Sequence, residues 1–212
     1  MTGLDNFQHE ILAAFFERQR GFFLTGGAAL VGFHLQHRTT LDLDLFTNED
    51  LMDEGEQALV EIARAREIDL ERLRTSTDFR RFLLTRGTES LVVDLVRDLS
   101  PQIDEEKPEI HGIRVDSPRE IMANKLCTLL SRAELRDLVD VRALDREGLS
   151  IEEHLPLAAA KDAGLTAGQL AWVLSQIEIG DDATPPGNVS AAELQSFVES
   201  LIRRLTSMAY PD

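Results

Sequence analysis

The chain has 212 residues and carries 22 Lys plus Arg against 38 Asp plus Glu, a formal charge of −16 that excludes a generally basic nucleic-acid coat. With 43% apolar residues and only 7 Pro and 13 Gly, it is composed like a globular protein of one large domain or two compact lobes, not like a disordered or collagenous chain. The single Cys127 excludes an intramolecular disulfide and a multi-cysteine zinc site, and no apolar run approaches the roughly 20 residues of a membrane helix. A soluble cytoplasmic protein without a leader is the expectation.

Phe7, Ile11, Leu12, Phe15 and Phe16 recur at helical spacing, which predicts an amphipathic first helix closed by Gly21 as its C-cap. GFFLT then reads as a short buried strand, Gly26-Gly27 as a turn, and AALVGFHLQ as a second helix. From Thr40 to Phe46, TLDLDLF alternates strictly, with Leu41, Leu43 and Leu45 on a buried face and Asp42 and Asp44 on the other. An amphipathic helix over 49–66 and three strands near 68–74, 79–85 and 90–96 complete a mixed α/β lobe.

The stretch SPQIDEEKP is polar, acidic and bracketed by prolines, so it reads as a loop beside a lobe boundary. After a short strand near 112–115, Ser117-Pro118-Arg119-Glu120 has the form of a capping box with Pro at the first helical position. Helices are expected from there on, over 151–162, 166–179 and, after a second capping box at Ser190 and Glu193, to about Met208. The expected fold is α+β: an N-terminal lobe (1–115) with a mixed sheet flanked by helices, then an all-helical lobe (116–212) with Trp172 in its core.

Asp42 and Asp44, one residue apart on a strand, leave the same face with Cα atoms roughly 6–7 Å apart. Such a face is either simply solvated or neutralised by a divalent cation, and oxygen-only ligands suit Mg²⁺ or Mn²⁺. Asp94, in SLVVDLV, is a lone carboxylate in an apolar strand and needs a partner. Three carboxylates converging from two strands are the ligand set of two-metal phosphoryl or nucleotidyl transfer. Gly26-Gly27, where a strand meets a helix, makes either a tight turn or an anion cradle of free backbone N–H groups.

Further on, Lys125, Arg132, Arg136 and Asp140 form one polar stripe if the helix from Pro118 is continuous. That stripe is either the cationic side of a cleft or a salt-bridged surface with Arg136 facing Asp140. Cys127 reads as an inert core thiol, and His37 as a helix C-cap or a substrate contact.

Taken together, FLTGGAALVGFHLQHRTTLDLDLF, Lys125-Leu126, Arg132 and Arg136-Asp137-Leu138-Val139-Asp140-Val141 resemble the motifs of the AbiEii/AbiGii-type nucleotidyltransferase toxins, a branch of the DNA polymerase β-like nucleotidyltransferase superfamily. The likeness runs over about residues 22–47 and 117–144. It implies that Gly26 and Gly27 hold the triphosphate of an NTP, with Arg38 facing the same cleft, and that Asp42 and Asp44 ligate two Mg²⁺ or Mn²⁺ ions. By the same resemblance Asp94 is the third carboxylate, a metal ligand and a base toward the acceptor. Lys125 is implied to contact nucleotide phosphates, Arg132 and Arg136 to belong to the same nucleotide-binding motifs, and Asp137 or Asp140 to be a later essential acid. Two positions depart from the pattern: Ala28 stands where many relatives have Thr or Ser, which removes a hydroxyl contact to phosphate, and Thr40 stands where Ser is usual.

The function so implied is transfer of a nucleoside monophosphate to an acceptor hydroxyl at the tRNA 3′ end, by the toxin half of a bacterial toxin–antitoxin pair whose antitoxin is encoded nearby. An acidic protein needs a local basic track to hold RNA, for which Arg72, Arg74, Arg80, Arg81 and Arg86 on the predicted hairpin are the candidates. A small-molecule acceptor such as an antibiotic, and a catalytically silent nucleotide-binding module, are the alternatives.

Overall fold

The computed structural model describes residues 3–210. The chain divides into two compact units, one made of the residues up to Ser100 with Asp104–Ser117, the other of Pro101–Ile103 with the residues from Pro118 onward. No helix among the described residues is long and apolar enough to cross a membrane.

The first unit opens with α1 (Asn6–Arg18), started by a capping box in which Asp5 and Gln8 each accept the other's backbone N–H. Its apolar stripe is buried as expected. The helix ends without a glycine cap, because Gln19 is already extended. Gly21 has another purpose: a Cβ there would stand 2.2 Å from the Leu51 Cδ1 packed against it.

After α1 come β1 (Phe23–Thr25) and α2 (Gly26–Ala29), which continues as a π-helical turn over Leu30–His34. They are followed by β2 (Asp42–Thr47), α3 (Met52–Ala65), β3 (Asp69–Thr75), β4 (Phe79–Arg86) and β5 (Glu89–Arg97), and then by the two-stranded β6 (Glu109–Ile110) and β7 (Ile113–Arg114). The five long strands form one sheet in the order β1-β2-β5-β4-β3, parallel only between β2 and β5.

One face of this sheet is the core. Leu43 and Leu45 of β2, Phe82 and Leu84 of β4, and Leu91, Val93 and Leu95 of β5 are all buried there. Against them lie Leu12, Phe15 and Phe16 of α1 and Leu59 and Ile62 of α3. Phe15 packs edge-on to Phe16 and Phe22, with centroids 5.7 and 5.4 Å apart. The alternation read in TLDLDLF therefore holds from Leu43 on. Leu41 does not follow it: β2 starts only at Asp42, and Leu41 is 84% exposed.

The second unit is helical, with α4 (Pro118–Ser131), α5 (Leu135–Arg146), α6 (Ile151–Lys161), α7 (Ala167–Ser175) and α8 (Ala191–Ala209). Ser190 and Glu193 form the expected capping box on α8. Trp172 is not in the core, being 60% exposed, because α7 turns Leu170, Ala171 and Leu174 inward instead. Glu120 is fully buried, where it accepts the Ile103 N–H at 2.9 Å and pairs with Lys161.

Arg204 of α8 forks onto Glu152 and Asp145, with four hydrogen bonds of 2.6 to 3.0 Å. The Arg204 hydrogen bonds hold the Glu152 carboxyl at about 2, well below its ordinary 4.5. A lowered carboxyl pKa stabilises the fold above the unfolded-state value, and that contribution is lost as pH falls from about 4.5 through about 2. Glu152→Gln is therefore expected to cost about 1–2 kcal/mol at pH 7, a figure already reduced for solvent screening. The difference from wild type should shrink toward zero as pH falls to about 2, read from urea unfolding at a series of pH values. A pH-independent difference would contradict the assignment.

Candidate active site

The sheet face opposite the core carries the clustered carboxylates of β2 and β5. Register places Thr25 of β1, Asp44 of β2, Asp94 of β5, Arg81 of β4 and Arg74 of β3 side by side in one row across all five strands. Asp42 sits two residues along β2 on the same face, where its Oδ1 accepts the Thr40 hydroxyl at 2.6 Å. Asp94 is almost fully buried, and its partner is Arg81, which grips both carboxylate oxygens at 2.8 and 2.6 Å. These hydrogen bonds, with the charges of Asp94, Asp42 and Asp44 all acting on it, raise the Arg81 pKa above its ordinary value although burial opposes them.

Gly26 and Gly27 lie in the first turn of α2, and the two glycines serve different purposes. Gly26 is left-handed, with φ +63°, and a Cβ there would stand 2.4 Å from Asp44 Oδ2. Gly27 has an ordinary φ, but its Cβ would stand 2.6 Å from a terminal nitrogen of Arg38 and 3.4 Å from the Thr40 hydroxyl. Arg38 is buried at 3% exposure and donates to the Thr39 carbonyl at 2.8 Å. The missing side chains thus let an acid and a buried guanidinium close on the start of this helix.

Behind the glycines lies a buried group that periodicity does not disclose. The Thr25 hydroxyl donates to Asp116 Oδ2 at 2.5 Å, and Lys107 Nζ reaches Asp116 Oδ1 at 2.9 Å while lying over the Phe23 ring. His34 Nε2 lies 2.8 Å from the Asp116 carbonyl oxygen, and burial pushes its pKa down. Lys107 lies within the stretch that reads as polar loop and Asp116 just after the short strand that follows it, so only their long-range pairing reveals them.

In the helical unit the polar stripe does not form. The helix α4 ends at Ser131, Ala133 takes a left-handed φ of +41°, and α5 starts a new axis at Leu135. Arg136 then pairs with Glu134 at 2.8 Å, and Arg132 lies 3.3 Å from Asp137. Lys125 Nζ stands 2.7 Å from both Asp137 Oδ1 and Asp140 Oδ2, and the three are buried. Burial alone would lower the lysine's pKa, but Asp140 and Asp137 outweigh it and raise it. Cys127 is half-buried beside the Ala158 carbonyl, and burial pushes its thiol pKa up, as suits an unreactive thiol.

The arginines of the predicted hairpin sort by sheet face. Arg72, Arg80 and Arg86 lie on the helix-covered side and are matched by Glu56, Asp53 and Glu10. Arg74 and Arg81 lie on the carboxylate side.

For a divalent cation the test is donor chemistry. Asp42 and Asp44 offer hard oxygen donors from one strand face, which fits Mg²⁺ or Mn²⁺. Asp94 is committed to Arg81, and among the described residues no three His, Cys, Asp or Glu side chains are gathered around one point as a metal site. Ligation by Asp94 would require Arg81 to release it.

A mixed sheet bearing paired carboxylates beside a glycine-opened helix is the fold of nucleotidyltransferases, and solved structures agree. A candidate nucleotidyltransferase of H. pylori aligns at TM-score 0.61 and 20% identity over 95% of this chain and 94% of its own. JHP933 of Helicobacter pylori aligns at 0.56 and 18% over 96% and 92%, and MenT4, a nucleotidyltransferase toxin of Mycobacterium tuberculosis, at 0.59 and 16% over 94% and 81%. No curated protein sequence matches the chain. The family model described as nucleotidyl transferase AbiEii toxin, type IV toxin–antitoxin system, matches residues 10–210, so the chain belongs to that family of nucleotidyltransferase toxins.

The glycine geometry makes a prediction with an internal control. Gly26→Ala strains a left-handed backbone and drives Asp44 aside, whereas Gly87→Ala at φ +61° meets no atom within 4 Å. Both are expected to cost about 1 kcal/mol of stability, but only Gly26→Ala should lower nucleotidyl transfer, by about tenfold or more. Equal activity in the two variants would show that Gly26 does not position Asp44.

Proposed function

We propose that the chain transfers a nucleoside monophosphate from an NTP to a hydroxyl at the 3′ end of tRNA, in a reaction dependent on Mg²⁺ or Mn²⁺. The observation that carries this reading is Asp42 and Asp44 on one face of β2, with Asp44 against Gly26 and in register with Asp94. The first-turn N–H groups of α2 and the buried Arg38 guanidinium meet at Gly27, a suitable seat for triphosphate oxygens. A divalent ion held by Asp42 and Asp44 supplies charge neutralisation of the phosphates and a lower pKa for the acceptor hydroxyl.

In the transfer, the acceptor oxygen bonds to the α-phosphorus, the bond to the leaving pyrophosphate breaks, and the hydroxyl proton passes to solvent. Arg38 and the α2 amides stabilise the charge that develops on pyrophosphate. Asp94, buried and held by Arg81, fixes the position of that guanidinium beside the other two carboxylates. The toxin family implies a cognate antitoxin as protein partner.

The test uses purified protein, Mg²⁺ and each α-labelled NTP in turn, with and without total tRNA. Label on tRNA from wild type, absent with Asp44→Ala, is the expected result and names the nucleotide. In a parallel assay with hydroxylated antibiotics, label on those in place of tRNA would replace the tRNA acceptor with the small-molecule reading, the runner-up that the net charge of −16 keeps in play.

A further inference from the structure

We infer that Arg74, Phe79 and Arg81 form a track for the single-stranded end of a polynucleotide acceptor, running from the carboxylates to the open edge of the sheet. The row across the sheet has a direction. It passes from Asp44 and Asp94 to Arg81 and then to Arg74 on β3, the last strand. From β5 to β3 is two strand spacings, ~10 Å, which the last nucleotides of a strand can span.

Along that line the side chains are of the kinds that hold single strands: cations for the backbone and a ring for a base. Phe79 is partly buried, and the Arg74 and Arg81 guanidinium carbons stand 5.7 and 5.5 Å from its centroid. Arg74 is exposed and makes no ion pair among the described residues, unlike Arg72, Arg80 and Arg86 on the opposite face. Asp78, next to Phe79 in the chain, is held by Arg97 at 2.6 Å, and Asp94 is held by Arg81, so neither acid is paired with Arg74. In an acidic protein, an exposed arginine without an ion pair beside an aromatic ring, with Arg81 held in place on the ring's other side by Asp94, selects a polyanion that is locally single-stranded. The register bulge between Arg72 and Arg74 also disfavours addition of a peptide strand at this edge.

This inference rests on the proposed function for its direction, but its test separates the two. Binding of a 5′-labelled single-stranded RNA oligonucleotide to the full chain is followed by fluorescence anisotropy over a salt series, beside a duplex of equal length and an acidic peptide. Wild type is expected to prefer the single strand. Arg74→Glu should weaken that binding about tenfold or more and flatten its salt dependence by about one phosphate contact. Phe79→Ala should weaken it and Phe79→Tyr restore it, while NTP binding and the thermal midpoint of Arg74→Glu stay at wild-type values.

RNA binding unchanged in both Arg74→Glu and Phe79→Ala overturns the track even if tRNA is labelled. Displacement of the RNA by the acidic peptide at equal concentration overturns it in favour of a protein partner. Arg74-dependent RNA binding without label on tRNA leaves the track standing and removes the tRNA acceptor.

Discussion

Asp44→Ala is expected to reduce nucleotidyl transfer by about 10³-fold or more while leaving the fold intact. Asp44 is the carboxylate common to every part of the site: it stands across from Thr25 and Asp94 in the sheet, its oxygen fills the place of a Gly26 side chain, and its charge acts on Arg81. Removing it halves the charge that the β2 face offers a cation, and losing several kcal/mol of transition-state stabilisation corresponds to that factor. The fold should tolerate the change because the neighbouring core is built from Leu43 and Leu45 on the other face. Activity by α-label transfer, Mn²⁺ affinity by calorimetry and the thermal midpoint together decide the matter. Transfer within tenfold of wild type would remove Asp44 from the catalytic group, whereas a collapsed midpoint would make the loss structural.

Lys125→Met carries the largest expected stability effect, about 3–5 kcal/mol. The Asp137 and Asp140 carboxylates are fully buried, and Lys125 stands at 2.7 Å from each, so the variant strands two like charges away from water. Arg132, half-exposed and 3.3 Å from Asp137, offsets only part of this. For a chain of this size that loss corresponds to about 10 °C or more in the thermal midpoint.

Adding Asp137→Asn and Asp140→Asn should recover most of the stability, because a neutral group buried in hydrogen bonds costs far less than an unpaired carboxylate. Beside the Asp137→Asn, Asp140→Asn double variant, the triple variant then tests the lysine's other implied role. If NTP affinity returns with stability, Lys125 acts by holding the α4–α5 pair together. If affinity stays low in a stable triple variant but is normal in Asp137→Asn, Asp140→Asn with Lys125 intact, phosphate contact by Lys125 is supported. A single variant as stable as wild type would contradict the buried triad.

The extent to which the sequence disclosed this site differs residue by residue. Strict alternation from Asp42 to Phe46 separates the core leucines from the two acids, since a strand's period of two is a local property. Glycines at a strand-to-helix junction, the strand pattern from Asp69 to Arg97 and the Ser190–Glu193 capping box are local in the same sense. Leu41 and Trp172 show where pattern misleads: an apolar residue at the right spacing is exposed when its element starts one position later or turns a different face inward.

The sequence by itself determined which residues could share a face within one strand: Asp42 with Asp44, Val92 with Asp94, and Arg80 apart from Arg81. Only the tertiary structure decided which of them meet, by setting Asp44 opposite Asp94, giving Asp94 to Arg81 and packing α3 over the arginines of the other face. It also decided that the lysine helix ends at Ser131, so that Lys125 meets Asp137 and Asp140 across a helix pair and not along a stripe. The physical reason is that periodicity fixes side-chain direction within a few residues, whereas register and ion pairing depend on residues brought together from distant positions in the chain.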